Sequence, residues 1–164
     1  MRFIKLALIS AVVFFVIIFI ISSLIPAHVR ISRAVNIRGP QKDIAGLVSD
    51  LQSWHDWNEM IKGIPENRVW YQDGQLISDS LKLTATLATP DTVRTVWQNN
   101  SGKEIAGVFT FRQAGEVTIV QWYFDFHQRW YPWEKFASIN FDKQWGPLME
   151  RSLGNLKKSV ERVQ

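Results

Sequence analysis

The chain of 164 residues contains no cysteine. Disulfides and thiolate metal sites are therefore excluded, while the redox compartment stays open. Histidine is scarce: His28, His55 and His127 are the only 3, and no H-x-x-x-H or H-E-x-x-H spacing joins them, so no metal site is expected. Serine and cysteine nucleophile motifs are missing too, as are internal repeats and low-complexity stretches. No acidic residue precedes Asp43. Six of the 19 Lys and Arg stand before it (Arg2, Lys5, Arg30, Arg33, Arg38 and Lys42), so 13 face the 15 Asp and Glu that follow. The net charge of +4 thus belongs to one end of the chain. The remainder is slightly acidic and carries no basic stripe, so no nucleic-acid partner is expected.

The run from Leu6 to Ile25 lacks charge and glycine, and its only polar residues are Ser10, Ser22 and Ser23. About twenty residues at a 1.5 Å rise span roughly 30 Å, the thickness of a bilayer core. A cleaved signal peptide has a shorter apolar core and a small-x-small site, which Ile25-Pro26-Ala27 does not supply. A buried helix of a soluble core shows a polar face, and this run is apolar all round. The reading is an N-terminal tail and transmembrane anchor over residues 1–27, followed by one globular domain over 28–164. Basic residues flanking the run suit anionic lipid head groups. Counting Lys and Arg beyond the run favours the domain inside. The short N-terminal segment favours its translocation, and the expectation is the outer side.

Beyond the anchor, alternation from His28 to Ile37 reads as a strand. Pro40 opens a helix with Ile44, Leu47, Val48 and Leu51 on one face. Ser53 is the expected cap of a second short helix carrying Trp54, Trp57 and Met60. From Arg68 to His127 the period is two, with turns at Asp73-Gly74, Pro90-Asp91, Asn99 to Gly102 and Ala114-Gly115. The expected strands are Arg68–Tyr71, Gln75–Ala88 (one bent strand or two), Thr92–Gln98, Glu104–Gln113 and Glu116–His127, forming an antiparallel meander. Pro132 opens a helical segment, Trp133 to Asp142, and Gly146-Pro147 is an expected interruption, as a kink or as a fresh start. Leu148, Met149, Ser152, Leu153, Leu156, Val160 and Val163 then share one face of an amphipathic terminal helix. That face needs a sheet to cover it.

Several stretches resemble the SRPBCC superfamily, the START-like or polyketide cyclase/dehydrase-like helix-grip proteins. Arg33 to Pro40 looks like the family's first strand and turn. Asp50, Trp54, Trp57 and Asn58 fit its D-x-x-x-W-x-x-W-N pattern. Leu153-Gly154-Asn155-Leu156-Lys157-Lys158 is similar to its G-L-x-x-L-K ending, with Ser152 in place of the glycine. Tyr131-Pro132-Trp133-Glu134-Lys135-Phe136 resembles the loop-helix junction of a membrane-anchored bacterial subgroup. The resemblance covers roughly Val29 to Val163. It implies an α+β helix-grip fold, a curved antiparallel sheet around a long C-terminal helix. It also implies a hydrophobic cavity between the two for a lipid or other hydrophobic small molecule, without a cofactor. The implied setting is a single-pass protein of a bacterial inner membrane, where the outer side expected from the short N-terminal segment is the periplasm.

Alternation places Val120, Trp122, Phe124 and Phe126 on one strand face, Ile105, Gly107, Phe109 and Phe111 on a second, and Val93, Thr95 and Trp97 on a third. The expected ligand-pocket residues are Trp97, Phe109, Phe111, Trp122, Phe124 and Trp145, in a mainly apolar pocket of about 300–1,000 Å³. Plain core packing of the same aromatics is the alternative. None of the inferred inward positions is charged. Trp130, Tyr131 and Trp133, around Pro132, are the expected pocket-mouth residues; a membrane-interface position and an ordinary loop corner are the other readings. Asp125 is expected to face solvent and to pair with Arg129 or Arg112, and Glu134 to complement a helix dipole. An enzyme of cyclase, dehydratase or hydrolase type would have to draw on Asp125, Glu134, Tyr123 or His127. A protein-interaction domain with a filled core is the third reading. The sequence sets no oligomeric state.

Overall fold

A computed structural model describes residues 2–162; Val163 lies outside them. Helix α1 (Arg2–Ser23) leads into strand β1 (His28–Arg38). Helices α2 (Gln41–Ser49), α3 (Trp54–Trp57) and α4 (Glu59–Lys62) follow, then β2 (Val69–Gln72), β3 (Gln75–Ser78), β4 (Leu81–Ala88), β5 (Thr92–Asn99), β6 (Glu104–Ala114) and β7 (Val117–His127). Helices α5 (Pro132–Ser138) and α6 (Phe141–Glu161) end the chain. The strands form one antiparallel sheet in the order β1-β7-β6-β5-β4-β3-β2. The expected meander runs from β2 to β7, and β1 pairs along the free edge of β7 from His28↔His127 to Arg38↔Val117.

The stretch Gln75–Ala88 is two strands. The Ser78 hydroxyl both accepts from the Leu81 amide and donates to the Leu81 carbonyl, each at 3.1 Å, which closes the turn between them. Ser53 does not cap a helix. Its own backbone is helical, and its hydroxyl donates back to the carbonyls of Leu47 (2.7 Å) and Asp50 (2.8 Å). The capping is done by Asp50, whose carboxylate accepts from the Gln52 amide, and by Asn58, whose Oδ1 accepts from the Met60 amide. Leu51 is buried but sits in a 3-10 turn beyond α2. Gly146-Pro147 is not a fresh start either, since α6 runs through Pro147. The break falls earlier, at Ile139-Asn140 between α5 and α6.

The core fills the space between the inner sheet face and α2, α3, α4 and α6. Trp54 and Trp57 have no solvent exposure and meet Phe109 edge-on at 5.7 and 6.1 Å between ring centroids. Their motif is therefore structural: two indoles plug the sheet, and Asn58 starts the next helix. Helix α6 is tied to α3 and α4 through polar groups. Ser152 Oγ accepts from the Glu59 amide at 2.9 Å, and Asn155 donates to the Glu59 carboxylate at 2.6 Å and to the Trp57 carbonyl at 3.3 Å.

One inward position of the sheet does carry a charge. Arg33 shares the inner face of β1 with Ile31 and Ile37, which are buried. Its guanidinium runs out under α6 to Asp142 (2.8 Å) and Glu150 (2.6 Å). A Cβ at Gly146 would overlap that guanidinium, so glycine lets the arginine pass beneath the helix. This ion pairing orients α6 on β1 while keeping the charge at the rim. Helix α1 contributes nothing to the apolar core. It is long and apolar enough to cross a membrane, and it touches the rest of the fold at α5.

Candidate functional site: an apolar cleft beside the C-terminal helix

The antiparallel order gathers particular ends of the elements at one pole. The first residues of β1, β4 and β6 and the last residues of β5 and β7 meet there, as His28↔His127, Gln98↔Glu104 and Leu81↔Asn99 record. Helix α6 also starts at this pole, with Phe141 against Phe126 at 4.8 Å. The end of α1 arrives at the same place, where the Gln128 amide donates to the Ala27 carbonyl at 2.7 Å.

Near this pole an apolar cleft of about 420 Å³ opens between α4, the β4–β5 pair and the first turns of α6. Met60, Leu81, Trp97, Gln144, Trp145 and Leu148 line it. Two of the six expected pocket residues, Trp97 and Trp145, are among them. Trp97 is held by a short buried chain: its indole N–H donates to Thr95 Oγ1 at 3.1 Å, and that hydroxyl donates to the Gly107 carbonyl at 3.1 Å. A Cβ at Gly107 would lie within 3.0 Å of Thr95, Phe124 and Trp97, so the strand glycine is what admits these side chains. Trp145 stands edge-on to Phe124 at 5.3 Å.

The other four do not line the cleft. Phe109, Trp122 and Phe124 are fully buried and Phe111 nearly so. Phe109 and Trp122 stack at 4.7 Å, and Trp122 meets Phe124 at 5.1 Å. These rings pack on one another, with Trp54 and Trp57 meeting Phe109 from above. Met60, Leu81, Gln144 and Leu148 were not among the expected site residues. The alternation of Leu81 with Leu83 and the helical spacing of Gln144, Trp145 and Leu148 were the available signals.

Trp130, Tyr131 and Trp133 do not line the cleft either. They form a row, Trp130 on Tyr131 at 4.6 Å and Tyr131 on Trp133 at 4.8 Å, and Trp130 meets Phe19 of α1 at 6.3 Å. Asp125 lies on the outer sheet face, but its partner is Arg30, which donates to both carboxylate oxygens at 2.6 and 2.9 Å. The register sets Arg30 directly across from Asp125, which sequence distance conceals. The same guanidinium lies 4.3 Å from the Tyr123 ring. Glu134 accepts from the Arg129 amide at 3.0 Å. The His28 and His127 rings face each other at 4.7 Å. His55 is half-buried, with Nε2 3.3 Å from the Ile64 carbonyl. A second cleft, polar and of about 480 Å³, brings His127 and Glu134 together with Lys103, Glu104 and Arg129. No cluster of three metal-ligating side chains occurs among the described residues.

The Arg30 hydrogen bonds hold the Asp125 carboxyl below the usual carboxylate range. Its contribution to stability is complete above the ordinary carboxyl value of about 3.9 and is lost as the pH falls below it toward the depressed folded-state value. Asp125→Asn is therefore expected to cost less than about 1 kcal/mol at neutral pH, the range of an exposed pair. The gap between variant and parent should close in acid, which urea denaturation at pH 7 and at low pH reads directly.

The profile of the family described as polyketide cyclase / dehydrase and lipid transport matches residues 28–161. No curated protein matches the chain. Among solved structures, a START superfamily protein from Mycobacterium smegmatis shares 18% identity, with a TM-score of 0.57 over 82% of this chain and 99% of that one. A Rhodobacter sphaeroides protein gives 0.61 at 11% identity, over 82% and 93% of the two chains. The Bacillus cereus protein XoxI gives 0.54 at 15% identity, over 84% and 98%. At such identities the structures establish the fold. With the profile spanning the whole sheet and both ends of α6, the chain belongs to the polyketide cyclase/dehydrase and lipid transport family, of START-like (SRPBCC) fold.

Proposed function

We propose that the chain is a membrane-anchored binding module for a hydrophobic small molecule or lipid, held in the cleft between the sheet and the C-terminal helix. The observation that carries this reading is the lining of the cleft. Gln144 is the one polar side chain among its six residues, and two tryptophans form its walls. Such a site favours apolar surface and offers one carboxamide to orient a polar end. An acid–base enzyme would need at least two titratable groups converging on the ligand. Asp125, Tyr123, His127 and Glu134 are not among the residues that line this cleft. The family description supports a lipid or polyketide-like ligand class. The length and apolarity of α1 support an anchor; its setting in this reading is a bacterial inner membrane with the domain on the periplasmic side.

The apolar core contains no residue of α1, so residues 27–164 form a unit that can be studied alone. Native mass spectrometry of that unit, purified without detergent, is expected to show the chain together with a co-purified apolar molecule. A preparation that is wholly unliganded, and stays so after incubation with a membrane lipid extract, would favour the interaction-domain reading.

A further inference from the structure

We propose that Trp130, Trp133, Phe136 and Ile139 form a second membrane contact, seated in the head-group region of the bilayer leaflet at which α1 ends. This rests on α1 spanning the bilayer. The four side chains are 65%, 65%, 36% and 62% exposed, which is unusual for large apolar groups in a folded domain. Trp133, Phe136 and Ile139 recur every three residues, so they share one side of α5 and its end.

Their position identifies what covers them. Only residues 24–27 separate the end of α1 from β1. The Ala27 carbonyl is fixed by Gln128, and Lys135 Nζ donates to the Ser22 carbonyl at 3.2 Å in the last turn of α1. Helix α5 therefore lies alongside the terminal turn of α1. Trp130 meets Phe19, four residues before Ser23, which puts its ring about 6 Å below the end of the helix at 1.5 Å per residue. That is the depth at which interfacial helices settle, and Trp is the residue most suited to it. Arg129 and Lys135 flank the patch and match anionic head groups. Because the cleft opens near the same pole, such seating also brings its mouth to the membrane surface, where a lipid can enter without crossing bulk water.

The absence of cysteine makes the test simple. Single cysteines are placed at Val13, Phe136, Ile139 and Leu87 in the full chain, labelled with an environment-sensitive fluorophore and reconstituted into phosphatidylcholine/phosphatidylglycerol vesicles. Leu87, 43% exposed at the far end of β4, is the water-facing reference. Probes at Phe136 and Ile139 are expected to be quenched by lipids carrying a nitroxide just below the head group. Their iodide quenching should be several-fold weaker than at Leu87. The double variant Trp130→Ser/Trp133→Ser should restore iodide access at Ile139. If the Val13 probe is quenched by deep nitroxides but Phe136 and Ile139 behave as Leu87 does, the anchor stands and the second contact is overturned. Shielding from iodide without lipid quenching would mean a protein covers the patch, which also overturns it. A Val13 probe open to water removes both readings.

Discussion

Trp122→Ala should destabilise the domain by about 3–5 kcal/mol, the range for removing a large aromatic from a core. Trp122 has no solvent exposure and sits midway along β7, opposite Phe109 in register. Its ring stacks on Phe109 at 4.7 Å and touches Phe124 and Trp97 at 5.1 and 6.4 Å. These partners belong to three different strands, so no single movement collapses the space left behind. The loss is a large part of the roughly 5–15 kcal/mol that holds a typical domain together. Trp122→Phe should cost far less. The indole N–H finds no acceptor among the described residues, and an orphaned buried donor itself costs about 1–3 kcal/mol. Phenylalanine removes that donor while keeping most of the stacked area. Urea midpoints at unchanged slope give both values. An alanine cost under about 1 kcal/mol, typical of positions outside a core, would contradict the packing described.

Leu156→Ala should cost about 2–5 kcal/mol. Leu156 is fully buried on the face of α6 that also presents Met149, Ser152 and Leu153 to the core. The neighbouring turns cannot move in to fill the gap, because Ser152 and Asn155 are hydrogen-bonded to α3 and α4. Lys158→Ala, on the exposed side of the same helix, should stay within about 0.5 kcal/mol. Equal effects of the two substitutions would mean that the helix is not gripped by the sheet.

Much of this architecture could be read in the residues. Period-two alternation from Arg68 to His127 covered the six strands β2 to β7, most plainly β5 and β7, where buried and accessible residues alternate, and the last helix showed its apolar stripe because its other side meets water. What failed was whatever depends on contacts distant in sequence. Ser53 has the right chemistry for a cap, yet its hydroxyl turns to Leu47, and Asp50 and Asn58 do the capping. Arg30 was invisible as the partner of Asp125 because β1 joins β7 across most of the chain. Arg33 occupies an inward position only because Gly146 on α6 lets it out.

The candidate site was legible in part for the same reason. Alternation correctly put Phe109, Trp122 and Phe124 inside, but sequence cannot distinguish a ring that walls a cavity from one that fills it. Helices α3 and α4 bear on that, by pressing Trp54 and Trp57 onto Phe109, while the apolar cleft opens beside Met60, Leu81 and the first turns of α6. In the aromatic loop around Pro132, Trp130 meets Phe19 of α1, and the loop's aromatics are not among the residues that line the cleft.

Titration of residues 27–164 with an apolar fluorescent probe tests the central claim most directly, comparing the parent with Leu148→Trp, which fills the cleft from its α6 wall, and with Asp125→Ala on the outer sheet face. The expected result is saturable binding by the parent, unchanged affinity for Asp125→Ala, and a loss of about tenfold or more for Leu148→Trp, or roughly 1.4 kcal/mol. Saturable binding that Leu148→Trp leaves intact, or none by the folded parent, would contradict the cleft as the binding site.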